Sequence, residues 1–417
     1  MDKREFLRTL GGSSLGLFLG PDLLDRMAGV PPAILAADEP FWAQVRASYR
    51  LTPDYINLES GYFSMQAQPV LEAFVGRVRQ LNLEHSRYMR TVMRDDKARV
   101  AARLAAMAGC GADELIITRN TTEGLDTVIA GHDWKAGDEA VMASHDYGAM
   151  LDQFTLMARR HGIVNRVVQV PLHPRSDDEV VQAYAAAITP RTRLLLISHI
   201  VNLTGQVLPV RAVADMAHAR GVAVLVDGAH AFAQLEYRIP NLGADYYAAS
   251  LHKWLGAPHG TGFLYLREDL IEEVWPLFPA PAARAADIRK FESVGTAPSA
   301  PFLAIPTALD FWAEIGPGEK LARLRWLRDR WVDVARTLPG ARSLTRMADE
   351  GAGALATFHF AGRNARALAA DLLDRERILV RAIVHPEFNG IRVAPNLFNS
   401  AAEIDRFALA LRRVLRG

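Results

Sequence analysis

The sequence predicts an α/β protein, a large domain on a mostly parallel seven-stranded sheet followed by a small C-terminal α+β domain. Three observations carry this. Between about Leu115 and Arg267, short apolar runs alternate with helical patterns. Two of the runs, Leu194-Leu195-Leu196-Ile197 and Val222-Ala223-Val224-Leu225-Val226, are continuously apolar, as strands covered on both faces are. After a Pro/Ala-rich stretch from Pro276 to Ala286, the pattern changes to long helices and then to mixed strands and helices.

In chain order, strands are expected over 114–118, 139–143, 166–170, 193–198, 223–226, 246–249 and 262–266. Helices are expected between most of them, over 122–130, 150–160, 178–188 and 210–220. A βαβ order of this kind places ligands beyond the carboxyl ends of the strands. Long helices follow over 301–314 and 320–338, the second studded with arginine. Then come a strand over 355–360, a helix over 365–374, strands near 378–384 and 390–393, and a last helix from Ala401. The expected division is an export-type leader over 1–37, a large domain with its N-terminal segment over 38–295, and a small domain over 296–417.

Composition bounds the function. In 417 residues, 50% are hydrophobic and 23% charged, enough apolar content for a large core. Lys+Arg 48 against Asp+Glu 47 gives a formal charge of +1, which does not drive the chain toward nucleic acid or anionic lipid. Cys110 is the one cysteine, so neither an intrachain disulfide nor a cysteine-based zinc site can form. No uncharged apolar run reaches the roughly 18 residues of a membrane span. A small-molecule substrate is expected, and no metal.

The N-terminus reads two ways. Lys3-Arg4-Glu5-Phe6-Leu7-Arg8, the mild apolar stretch to Gly20, and the small residues of Ile34-Leu35-Ala36-Ala37 outline a signal peptide. The pattern is similar to a twin-arginine export signal, with Lys3 in place of the first arginine, and implies a periplasmic location. The other reading is an amphipathic helix packed on the body of a cytoplasmic protein.

The chemistry concentrates in Val226-Asp227-Gly228-Ala229-His230-Ala231 and Ser250-Leu251-His252-Lys253-Trp254. Asp227 sits just past a buried strand, where an ionised carboxylate needs a partner or a task. A lysine near a strand end in apolar surroundings has its pKa lowered and becomes a Schiff-base nucleophile. An aspartate keeps a pyridine nitrogen protonated, so the pair fits pyridoxal phosphate chemistry. Each residue alone also has a plain structural reading, a turn cap for Asp227 and a surface lysine for Lys253. Asn120-Thr121-Thr122-Glu123-Gly124 follows a strand and opens a helix, an anion site made of backbone N–H groups and two hydroxyls, or an ordinary cap.

With these residues in view, the chain resembles the class V aminotransferase-fold enzymes, fold type I of the pyridoxal-phosphate (PLP) enzymes, and in particular the isopenicillin N epimerase-like branch. The resemblance runs from about Ile56 to the C-terminus. It implies that Lys253 forms the covalent imine and carries the substrate α-proton, and that Asp227 pairs with the pyridinium nitrogen. It places His230 near the phenolic oxygen of the cofactor. Thr121, Thr122, Ser250 and His252 would hold the phosphate. Either Tyr147 or His145 would stack on the ring, and Asn202 would stand near cofactor and substrate. Thr296 would reach the phosphate of a neighbouring subunit, which implies a homodimer with shared sites. Arg392, in Gly390-Ile391-Arg392-Val393-Ala394-Pro395, would grip a substrate carboxylate. Tyr62, in Asn57-Leu58-Glu59-Ser60-Gly61-Tyr62, would face the substrate.

The resemblance leaves the reaction open between transamination and epimerisation at the α-amino carbon of an amino acid or peptide-like substrate, for example in tailoring a peptidic secondary metabolite. A cysteine-type C–S lyase is the alternative, and a non-catalytic PLP-binding protein the contrasting class. Sulfur relay is disfavoured, because 382–389 has no cysteine and Cys110 lies far away in sequence.

Overall fold

The computed structural model describes residues 18–347 and 351–416. Its strands are β1 (Ile56–Asn57), β2 (Leu115–Thr118), β3 (Glu139–Ala143), β4 (Val164–Val168), β5 (Thr192–Ser198), β6 (Ala223–Asp227), β7 (Tyr246–Ser250), β8 (Gly262–Leu266), β9 (Ala341–Ser343), β10 (Ala356–Phe360), β11 (Ile378–Leu379), β12 (Arg381–Val384) and β13 (Asn389–Val393). The longer helices are α1 (Glu39–Ala47), α2 (Gln68–Thr91), α3 (Met93–Ala108), α4 (Thr121–Gly131), α5 (Gly148–His161), α6 (Asp177–Ala185), α7 (Val210–His218), α8 (Ile305–Ile315), α9 (Pro317–Arg336), α10 (Ala365–Glu376) and α11 (Ala401–Arg416).

The central sheet has seven strands in the order β2-β8-β7-β6-β5-β3-β4. Every neighbouring pair from β7 to β4 is parallel, and β8 alone runs antiparallel to both of its neighbours. The apolar runs behave as the sequence predicts, because successive side chains leave opposite faces of a strand. Leu194, Leu196 and Leu225 pack with Leu125, Val128 and Ile129 of α4 and with Phe154 of α5. The residues between them, Leu195, Ile197, Val224 and Val226, pack with Val213, Ala214 and Ala217 of α7. At about 1.5–3 kcal/mol for each fully buried large aliphatic side chain, these two layers anchor the strand ends that carry the site.

A second, antiparallel sheet orders β12-β13-β10-β9. Its core joins Trp331 of α9, Phe358, Ile391 and Phe407 with Ile56 and Leu58 from near the start of the chain. Those two residues reach it because β1 pairs in parallel with β11 and Glu59 bridges Ala394. Phe302, Leu309 and Leu324, by contrast, pack in the core of the large domain.

Several boundaries differ from expectation by up to three residues, and three differences have a structural reason. Strand β4 begins two residues earlier than 166, since the half-exposed edge pattern of Val164–Val168 gives no continuous apolar run. The helix expected over 301–314 is two, Ala300–Leu303 and α8, because Pro306 in the first turn of α8 has no N–H to continue the preceding helix. The strand expected over 378–384 is also two, β11 and β12, each in a different sheet.

The basic start of the export motif lies in residues 1–17, outside the described residues. The small-residue segment Ile34–Ala37 is described: Leu35 and Ala36 are buried, Trp42 Nε1 donates to the Leu35 carbonyl (2.8 Å), and the buried Arg323 Nη1 donates to that of Ala36 (2.9 Å).

Candidate active site

Strands β5, β6 and β7 end together at Ser198, Asp227 and Ser250. The turns after them, the start of α4 and the residues around Tyr62 enclose a cavity of about 180 Å³. Glycines let the pieces approach. A Cβ at Gly124 would meet Ala248 Cβ at 2.7 Å, and one at Gly262 would meet Asn120 Cα at 2.7 Å, so α4 begins tight against β7 and β8.

At this end Asn120 caps α4, its Oδ1 accepting from the Glu123 N–H (2.8 Å). The Thr121 N–H donates to Ser250 Oγ (2.9 Å), and the two hydroxyls lie 2.6 Å apart. Thr121, Thr122 and Ser250 therefore form a cluster of hydroxyls at a helix N-terminus, the setting that favours a phosphate. His252 also lines the cavity, its Nδ1 buried without a partner. Burial and the neighbouring Lys253 push its imidazole down to about 4, so at neutral pH it offers hydrogen bonds rather than charge.

Asp227 is buried, and its Oδ1 accepts from the Ala229 N–H (2.9 Å). Burial raises its pKa, opposed by the Lys253 ammonium. Burial holds Lys253 down to about 8, with Arg392 lowering it further and Asp227 and Glu59 opposing. Near neutral pH the free amine, the nucleophilic form, is therefore far more populated than in an exposed lysine, although the ammonium still predominates. His230 Nε2 lies 3.5 Å from Lys253 Nζ, and the Trp254 indole N–H donates to His230 Nδ1 (3.4 Å). Since burial and Lys253 keep His230 neutral, the accepting Nδ1 leaves its proton on Nε2, facing the lysine.

Arg392 of β13, which lines the same cavity, is 1% exposed. Its Nη1 donates to the Asn202 carbonyl (2.7 Å) and its Nη2 to Glu59 Oε1 (2.6 Å), and its guanidinium lies 5.1 Å from the centre of the Tyr62 ring. Gly61 makes this possible, because a Cβ there would lie 2.7 Å from Nη2.

The structure thus brings together Tyr62, Thr121, Thr122, Tyr147, Asn202, Asp227, His230, Ser250, His252, Lys253 and Arg392 around one cavity. One residue expected at this cavity, His145, does not line it. Tyr147 lines the cavity, whereas His145 is turned to Glu387 (3.2 Å) and the ring of Phe388, on the turn between β12 and β13. Thr296, expected to serve a neighbouring subunit, is exposed and does not line this chain's cavity. Sequence reasoning missed Glu59, Phe63 and the Trp254 contact; a glutamate inside a segment of small and apolar residues was the one available sign.

The cavity fits pyridoxal phosphate on the structure's own terms. It has an anion-binding helix start, a buried carboxylate with an oxygen free of backbone bonds, and a lysine of lowered pKa. It also has buried polar atoms without partners, His252 Nδ1 and Asn202 Oδ1. The comparisons agree. The sequence pattern described as Aminotransferase class-V matches residues 64–407, and the chain belongs to that family, whose enzymes depend on pyridoxal phosphate.

Within the family, the chain is 32% identical over 387 residues to the isopenicillin N epimerase of Streptomyces clavuligerus, covering 89% of this chain and 97% of that one. It is 32% identical over 326 residues to a protein of Pseudomonas aeruginosa named "Probable cysteine desulfurase", covering 72% and 78%. Among solved structures, the C-DES protein with glycine covalently linked to its PLP cofactor superposes with a TM-score of 0.79 at 25% identity, covering 88% of this chain and 98% of that one. The complex of the cystine C–S lyase C-DES with cysteine persulfide gives 0.77 at 26% identity, covering 86% and 97%.

Proposed function

We propose that the protein acts at the α-carbon of an amino acid or peptide-like substrate, by epimerisation or transamination. One observation carries this: Lys253, held near pKa 8, lines one cavity together with the buried Asp227 and with Arg392. Pyridoxal phosphate supplies the carbonyl carbon and the electron-accepting ring. Thr121, Thr122 and Ser250 hold the phosphate, and Asp227 keeps a proton on the ring nitrogen. Arg392 receives a carboxylate, and Lys253 takes and returns the α-proton with His230 Nε2–H beside it. Similarity to the isopenicillin N epimerases supports the epimerase arm.

The deciding experiment incubates the holoenzyme with amino acids and small peptides in D₂O. Exchange of the α-proton with inversion favours epimerisation, and formation of a keto acid favours transamination. Neither outcome, for any substrate, refutes the proposal.

A C–S lyase is the second reading, favoured by similarity to C-DES. It would proceed without a relay thiol, because Cys110 lies outside the cavity, burial pushes its thiol up to about 12, and its Sγ contacts the Ala105 carbonyl. Formation of cysteine persulfide together with pyruvate and ammonia from cystine would support it. Two further parts of the account are proposals. The exposed Thr296 completes the site of a second copy in a homodimer, and the protein is exported to the periplasm, where it tailors a peptidic metabolite. Mass in solution and the N-terminus of the protein recovered from periplasm test these.

A further inference from the structure

Outside the cavity, a cluster of three side chains joins the two sheets. His145 follows β3 of the central sheet, whereas His385 and Glu387 stand on the turn between β12 and β13 of the second sheet. His145 Nε2 and Glu387 Oε2 lie 3.2 Å apart, and His385 Nε2 lies 3.2 Å from the Ser144 carbonyl oxygen. One atom able to ligate a metal, from each of the three side chains, lies within 4.8 Å of the other two. The ring of Phe388 packs against both imidazoles, at 5.5 Å from His145 and 4.9 Å from His385.

Three features suit a divalent cation. Two imidazoles and a carboxylate are donors that zinc and its borderline neighbours accept, whereas Mg²⁺ prefers oxygen. Bonds of about 2.0–2.1 Å in a tetrahedral shell hold ligand atoms roughly 3.3 Å apart, a spacing that His145 and Glu387 already meet. The cluster is also reachable from solvent. His145 is buried, but His385 is half-buried and the Glu387 side chain is 39% exposed. Glu387 makes no ion pair with a lysine or arginine among the described residues, so its charge is available to a cation. Its Oε1 is held by Ser144 Oγ (3.1 Å), which orients the carboxylate as an outer partner orients a ligand.

We propose that His145, His385 and Glu387 form a site for one divalent cation of the zinc type, which clasps the β12–β13 turn to the end of β3. Each imidazole offers the cation one ring nitrogen and keeps its proton on the other. The cation replaces the direct contact between His145 and Glu387, and water fills the fourth position. Tyr147, two residues beyond His145, lines the cavity, so the clasp sits beside the segment that forms this wall.

The test titrates Zn²⁺ by calorimetry into tag-free, PLP-loaded protein freed of excess cofactor. One equivalent is expected to bind per chain in the micromolar range or tighter, and to raise the melting temperature. Co²⁺ in its place is expected to show the visible bands of four-coordinate geometry. His385→Ala and Glu387→Gln both fall on the partly exposed turn. Each is expected to weaken Zn²⁺ binding about 100-fold or more, since losing even an outer partner of a ligand costs about 10–100-fold. Retained cofactor absorbance shows that each variant is folded, and should neither load cofactor, the wild-type Co²⁺ spectrum decides. Absence of stoichiometric Zn²⁺ binding by the wild type, a Co²⁺ spectrum without those bands, or equal Zn²⁺ affinity in both variants overturns the proposal.

Discussion

Gly124→Ala is a small change aimed at the phosphate end of the cavity. The added methyl would lie 2.7 Å from Ala248 Cβ, 3.5 Å from Leu264 Cβ and 3.5 Å from the Phe263 carbonyl oxygen. Relaxed carbon contacts need about 3.5–4.0 Å, so the first turn of α4 must retreat from β7 by about 1 Å. Overpacking of this kind costs about 1–3 kcal/mol. Alanine recovers about 1 kcal/mol of that as the better helix former, so the net loss of stability is modest. The larger effect is geometric. A 2.9 Å bond from the Thr121 N–H to Ser250 Oγ, stretched by that displacement, is lost, and the anion donors leave register. Titration of the apoenzyme with pyridoxal phosphate, followed by absorbance, should show affinity weakened about 10–100-fold, in keeping with the effect of a 1 Å misplacement. Thermal melting should change little by comparison. Unchanged affinity would refute the assignment of the α4 start as the phosphate site.

Arg392→Ala should weaken binding of α-carboxylate substrates by about 2–4 kcal/mol while cofactor content stays the same; unchanged substrate affinity would contradict its role. Lys320 is buried and donates to the Trp254 carbonyl, and burial pushes its ammonium down to about 7. The unfolded chain, with lysine near pKa 10.4, therefore binds the extra proton between about pH 7 and pH 10, and this lysine makes stability rise with pH across that window. Denaturant unfolding should show that the rise is smaller in Lys320→Met, and identical slopes would count against the burial argument. Deleting residues 1–37 removes the buried Leu23, Met27 and Leu35 and takes the Ala36 carbonyl from the fully buried Arg323. With roughly 1.5–3 kcal/mol for each large apolar side chain removed from the core, the deletion should lower the melting temperature; an equal melting temperature would show that the fold does not use the segment.

The sheet was legible because its signal is local. A strand covered on both faces must be apolar throughout, and Leu194–Ile197 and Val222–Val226 can be little else. Asp227 and Lys253 stood out because each follows such a strand, where charge is expensive. Other features depend on approach in space. Glu59 and Arg392 are separated by 333 positions, and their ion pair exists because β1 pairs with β11. Which of His145 and Tyr147 lines the cavity turns on the direction of two side chains two residues apart, with Glu387 and Phe388 from the far sheet holding His145. The break inside 378–384 follows from tertiary partners that apolar periodicity does not encode, whereas Pro306 announced the break inside 301–314.

Borohydride reduction of the PLP-loaded protein, followed by peptide mass analysis, tests the central claim most directly. The account predicts a stable phosphopyridoxyl adduct on Lys253, absent from Lys253→Ala, with visible absorbance lost on reduction. A protein without cofactor absorbance after loading, or an adduct on another lysine, would contradict it.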